Sequence, residues 1–258
     1  MSISATEMVK QSGVGRTFES QRRVRLGDVS PGGRLRLDAA ARYLQDVSDD
    51  DTRDAGLDAE LTPAEAGAWV VRRTTLDVIQ FPMYLDVVSL QTWCSGTGGR
   101  WAERRTDIAT TDGGLIRAST LWIYLDPVSR RPTTLTAQFV NLFASAANGR
   151  IVSSRQSLPA PPTTVAEQSW LPRFVDFDVM GHVNNAVYWS EVEQSLSIDR
   201  ALRAPLRATV EYGPGIGRDD SVGLLRSAGM LWWTVNGKSV AAASIEPIEP
   251  IEPIDLTI

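Results

Sequence analysis

Asp176-Phe177-Asp178-Val179-Met180-Gly181-His182-Val183-Asn184-Asn185 concentrates chemistry in one short run. It holds two carboxylates, a glycine, two amides and His182, the only histidine among 258 residues. A carboxylate or imidazole can take a proton from water. Apolar residues follow at helical spacing: Tyr188, Trp189, Val192 and Leu196. Backbone N–H groups at the start of such a helix can stabilise charge developing on a carbonyl oxygen. Asp and Asn also favour helix caps, so residue types alone fit a capped loop as well as a hydrolytic site.

A copy of the region separates the two readings. Asp28 to Leu37 aligns with Asp176 to Asn185 at an offset of 148 positions. Asp28 matches Asp176, Gly33 matches Gly181, and Leu35 matches Val183. A second helical stripe, Ala40, Tyr43, Leu44 and Val47, follows the first copy. Further along, Thr75-Leu76-Asp77 matches Thr209-Val210-Glu211. Each half then carries a hairpin signal, Asp112-Gly113 and Asn236-Gly237, between strand-like runs at 107–111, 115–124, 231–235 and 239–245. Two copies of one domain are expected rather than a solenoid. The polar set exists once: Asp178, His182, Asn184 and Asn185 face Ser30, Arg34, Arg36 and Leu37 in the alignment. A structural cap has little reason to differ so completely, so the chemistry is expected in the second half.

The elements that must position these residues divide the chain into a first unit over 16–150, a linker over 151–167, a second unit over 168–245 and a tail over 246–258. The linker contains Leu158-Pro159-Ala160-Pro161-Pro162, and the tail repeats Glu-Pro-Ile three times. Proline at every third position predicts an extended, disordered tail that packs no core. A hydrophobic content of 43% suffices for a core, and a net charge of −5 gives no general attraction to nucleic acid or acidic membranes. Basic charge is almost all arginine, a residue suited to carboxylate and phosphate contacts or to a solvated strand face. Cys94 is the only cysteine, which excludes an internal disulfide and a thiolate metal site, and it reads as core. No apolar leader and no span of 18 apolar residues is visible, so a cytoplasmic protein without a membrane span is expected.

The run Asp176 to Tyr188, with its His182-Val183-Asn184-Asn185 core, resembles the motif at the start of the helix in hot-dog thioesterases. Duplication, together with Trp69-Val70, Tyr84 to Val88, Thr92-Trp93-Cys94, Arg104-Arg105, Arg130-Arg131, Glu211-Tyr212 and Gly217-Arg218-Asp219, makes the chain similar to the acyl-ACP thioesterases over Arg16 to Ile245. The resemblance implies an α+β double hot-dog: two tandem units, each a long helix wrapped by a curved antiparallel sheet. It also implies hydrolysis of fatty-acyl thioesters on acyl carrier protein in fatty acid biosynthesis, without cofactor or metal. Two departures stand out. The asparagine that plant-type members carry two residues before the histidine is Met180, and their Glu-Cys pair is Gly215-Ile216.

On that resemblance Asp178 is the general base or the nucleophile, with His182 as a second base or an orienting group. Gly181, Val183 and Asn185 hold the oxyanion, and Asn184 or Asn185 caps the helix and positions water. Ala40, Tyr43, Leu44 and Val47 are expected to line the acyl-chain pocket, leaving the first half with a degenerate site. An acyl-CoA carrier and a non-catalytic acyl-binding role stay open as alternatives. Tandem hot-dog hydratases are disfavoured, because their Asp and His stand at another spacing. Since the fused halves supply the paired interface themselves, the sequence leaves homo-oligomerisation undetermined.

Overall fold

The two helical stripes fold into α1 (Leu37–Asp54) and α3 (Asn185–Ile198), each beginning where its polar run ends. The computed structural model describes residues 8–57, 68–199 and 202–249. Its strands are β1 (Thr17–Arg23), β2 (Ala68–Gln80), β3 (Val87–Thr97), β4 (Trp101–Ala109), β5 (Leu115–Leu125), β6 (Gln168–Trp170), β7 (Leu206–Tyr212), β8 (Val222–Ser227), β9 (Met230–Val235) and β10 (Lys238–Pro247). A short α2 (Ala137–Phe143) closes the first unit.

All ten strands form one antiparallel sheet in the order β1-β3-β4-β5-β2-β7-β10-β9-β8-β6. The first five come from the first half and the last five from the second, in mirrored order. β2 pairs with β7 at the seam, where Thr75 stands opposite Thr209 and their hydroxyls lie 3.1 Å apart. These are the residues that the repeat equates, so the pseudo-twofold axis passes between them. Arg207 adds a bidentate contact of 2.6 and 2.7 Å to the buried carboxylate of Asp77 across the same seam. Tyr43, Leu44 and Val47 of α1 share one hydrophobic core with Trp189 and Val192 of α3 and with Leu76 and Ala208 of the central strands. The two units therefore share their main interior, beside a smaller cluster around Phe139 and Phe143 in the first and one around Trp232 in the second.

The repeat holds down to single backbone hydrogen bonds. Ser30 N–H donates to Arg34 C=O as Asp178 N–H does to His182 C=O, both at 2.9 Å. Leu35 N–H donates to Pro82 C=O, and Val183 N–H to Ile216 C=O. Gly33 and Gly181 take φ of +81° and +77°, the left-handed turn that glycine makes at low cost.

One expectation changes, and two features add to the reading. The tail does not begin at Glu246: Glu246 and Pro247 finish β10 opposite Arg207 and Leu206, and Ile248 N–H donates to Pro205 C=O. Residues 250–258, the rest of the tail, lie outside the described residues. The linker is docked on the second half. Ser157 and Leu158 donate their N–H groups to the buried carboxylate of Glu211, and Trp232 Nε1 donates to Pro159 C=O at 2.7 Å. A hairpin at Ala228-Gly229 was not anticipated; its φ values of +44° and +78° match the type that favours glycine at the second position. Asn236-Gly237 forms its turn as expected, at +51° and +72°.

Candidate active site

Asp178 sits in the tight loop just before α3, half-buried, and the turn orients its carboxylate. Oδ1 accepts Met180 N–H at 2.9 Å and His182 N–H at 3.4 Å. Among the described residues no donor is directed at Oδ2, which leaves that oxygen available to water. The hydroxyl of Tyr188, one turn into α3, is pushed up from its ordinary range by burial first and then by the Asp178 charge. Tyr188 is itself packed edge-on against Trp233 and Tyr212, with centroids 5.0 and 5.4 Å away. Sequence reading placed Tyr188 only in the apolar stripe, because a helical period does not show which hydroxyl faces a charge.

Asn184 is the cap of α3: its Oδ1 accepts Ala186 N–H at 2.9 Å. The same oxygen accepts Gln45 Nε2 from α1 at 3.2 Å, so the first half reaches into the site. Tyr212 then ties down the first turn, donating from its hydroxyl to Asn185 C=O at 3.1 Å while accepting Trp189 Nε1 at 2.9 Å. Asn185 N–H has no acceptor among the described residues, and it opens the helix at its positive end.

The other expected oxyanion donors are occupied. Val183 is buried and its N–H is held by Ile216 C=O at 2.9 Å. Gly181 N–H is held by Asp178 C=O at 3.0 Å. The space beside Gly181 is open, and its φ of +77° makes the left-handed turn that glycine favours. His182 is exposed, and its ring lies over Gly215: a Cβ there would fall 2.7 Å from the imidazole. Gly215-Ile216, where the plant-type members carry their Glu-Cys pair, thus seats the imidazole and anchors Val183.

A cleft of about 650 Å³ begins at Asp178, Val179, Asn184 and Asn185. It runs along Gln45, Ser48, Asp49 and Thr52 of α1 and ends among Trp69, Cys94, Ala102, Trp122 and Phe139 of the first half. That size is within the ordinary range of small-molecule sites. The expected acyl wall of Ala40, Tyr43, Leu44 and Val47 is not there. Those four are sealed in the common core, and none of them lines this cleft. A helix lays its most apolar stripe on the sheet, and the opening follows the neighbouring stripe. Cys94 lies in the cleft wall, 3% exposed, and burial pushes its thiol up to about 11. That environment disfavours the thiolate a nucleophile needs.

The equivalent position in the first half is filled. Arg34, which replaces His182, grips Glu193 of α3 through contacts of 2.7 and 3.1 Å, and its guanidinium lies 4.3 Å from the Phe81 ring centre. Other arginines also make structural ion pairs: Arg16 and Arg104 with the buried Asp51, and Arg150 with Glu103. Among the described residues no group of three His, Cys, Asp or Glu is arranged to hold a metal ion.

A fused pair of units, each a long helix on a shared antiparallel sheet, with a cleft at the start of the second helix, is a double hot-dog architecture. Family models for the acyl-ACP thioesterase N-terminal and C-terminal domains match residues 15–143 and 160–242. The chain belongs to the acyl-ACP thioesterase family and is a thioester hydrolase. An uncharacterized protein of Mycobacterium tuberculosis is 31% identical over 205 residues, 80% of each chain. The chloroplastic palmitoyl-acyl carrier protein thioesterase of Gossypium hirsutum is 26% identical over 220 residues, 80% of this chain and 53% of that protein. The chain thus spans about half the length of that plant relative. Among solved structures, the 12:0-ACP thioesterase from Umbellularia californica superimposes with a TM-score of 0.74 at 22% identity, covering 89% of this chain and 96% of that one. An acyl-ACP thioesterase from Bacteroides thetaiotaomicron gives 0.67 at 18% identity, covering 89% and 98%. Both share the fold.

Proposed function

We propose that the protein hydrolyses fatty-acyl groups from acyl carrier protein, with one active site per chain. The carrying observation is the cleft itself. Its lining joins Asp178, Asn184 and Asn185 of the second half to Trp69, Ala102, Trp122 and Phe139 of the first, with Glu103 and Arg104 beside them. From Gln45 to Thr52 the helix rise alone gives roughly 10 Å of length, which suits an extended alkyl chain. In this reading the thioester oxygen lies at Asn185 N–H, where the start of α3 stabilises negative charge. Asp178 Oδ2 takes a proton from water as that water attacks the carbonyl carbon. The Asn184 carboxamide, its oxygen already committed to two donors, presents its NH₂ to the carbonyl or to water. The C–S bond breaks as the tetrahedral species collapses; the thiol leaves as its anion and needs no strong acid. His182, outside the cleft lining, orients the turn or takes up a proton at the rim.

The test is hydrolysis of lauroyl and palmitoyl thioesters on acyl carrier protein and on coenzyme A, followed by thiol release. Faster turnover on acyl carrier protein supports the assignment. Equal or faster turnover on coenzyme A moves the substrate to acyl-CoA, and tight binding without turnover makes the chain an acyl-binding protein.

A further inference from the structure

The two helix starts are one construction used twice, and the first holds an oxygen anion. Leu37 N–H, at the first residue of α1, donates to Glu193 Oε2 at 3.1 Å. Arg34 clamps the same carboxylate. The offset of 148 that relates the halves turns Leu37 into Asn185, Arg34 into His182 and Gln45 into Glu193. Gln45 reaches across the interface as Glu193 does, in the opposite direction. Its Nε2 donates to Asn184 Oδ1 at 3.2 Å, however, and Asn185 N–H is left without an acceptor among the described residues. Both Gln45 and Asn185 line the cleft.

We propose that Gln45 is a positioning residue which keeps the oxyanion site of the second half open while fixing Asn184, resting on the reading above that Asn185 N–H receives the thioester oxygen. Glu193 shows what happens when the crossing side chain is a carboxylate. It is drawn to the positive end of the opposing helix and occupies the donor. An amide has the same shape and no charge, so it is not drawn there. Its NH₂ holds the Asn184 oxygen, which an ionised carboxylate has no proton to do. The neutral residue at position 45 therefore separates the working site from the one that has closed on itself.

The experiment compares Gln45→Glu and Gln45→Ala with the unaltered protein on lauroyl and palmitoyl carrier-protein thioesters, with melting temperature recorded alongside. Gln45→Glu is expected to lower kcat on the order of 10²-fold, the scale of a lost oxyanion donor, with melting temperature unchanged or raised. Gln45→Ala is expected to cost about tenfold or less, the scale of one lost hydrogen bond, with KM little changed. A packing role alone predicts the reverse order, because Glu keeps the volume that Ala removes. If unaltered protein is active and Gln45→Glu stays within about threefold of it, or Gln45→Ala is as damaging as Gln45→Glu, Gln45 does not have this role. Unaltered protein that hydrolyses none of these thioesters overturns the functional reading and the role of Gln45 together.

Discussion

At the residue scale, the proposed chemistry rests on the asymmetry between Asp178 and its counterpart Ser30. Asp178→Asn is expected to lower kcat by on the order of 10²-fold or more, as for a lost general base, with the fold intact by circular dichroism. His182→Ala is expected to cost less, because the imidazole lies over Gly215 and outside the cleft lining. Steady-state kinetics on both variants decide the order, and an inactive His182→Ala beside an active Asp178→Asn would reverse the two roles. That Asp178, Asn184 and Asn185 meet at one cleft was legible in the sequence, because a repeat exposes what only one copy keeps. The Asn185 backbone donor was not distinguishable from Gly181 and Val183. Which N–H groups are already taken depends on Ile216 and on the turn at Asp178, contacts that no local pattern records.

Among the elements, α1 has two working stripes. Ala40, Tyr43, Leu44 and Val47 hold the core, while Gln45, Ser48, Asp49 and Thr52 face the cleft. Leu44→Ala is accordingly expected to cost about 2–5 kcal/mol in denaturant unfolding and to leave chain-length preference unchanged. Ala102→Leu, in β4 at the inner wall, is expected to shift preference toward shorter acyl chains with Asp178 chemistry intact. A panel of acyl thioesters of graded length measures this, and an unchanged optimum would place the chain elsewhere. The periods of helix and strand were readable, but the cleft wall was not. Register shifts between Cys94 and Gly96 in β3 and between Val71 and Arg73 in β2 displace the strict alternation by which one counts inward-facing residues. The first turn of α1 also carries a pH dependence. Burial works against ionisation of Asp38, but hydrogen bonds from Arg36 and Arg42 outweigh it and hold the carboxyl below its usual range. A folded-state pKa below the unfolded one stabilises at pH above the unfolded value, and that stability is lost as pH falls through the folded one. Melting temperature should therefore drop below about pH 4, and Asp38→Asn should lower stability at pH 7 while flattening the acid slope.

For the whole molecule, the seam between β2 and β7 and the core shared by α1 and α3 make the halves mutually dependent. Expressed separately, residues 8–157 and 158–249 are each expected to lack a cooperative melting transition, since each leaves half of a common interior in water. A sharp transition from either fragment alone would show that the units fold independently. The Arg34–Glu193 clamp has a consequence for what covalent fusion permits. In a homodimer with twofold symmetry, every residue appears at both ends of the axis. A histidine in one active site is then a histidine in the other, and any mutation that closes one closes both. Joining the two copies in a single polypeptide breaks that equality. One end can specialise in bond cleavage while the other gives up its own turnover and lends its interior to the tail of a neighbour's substrate.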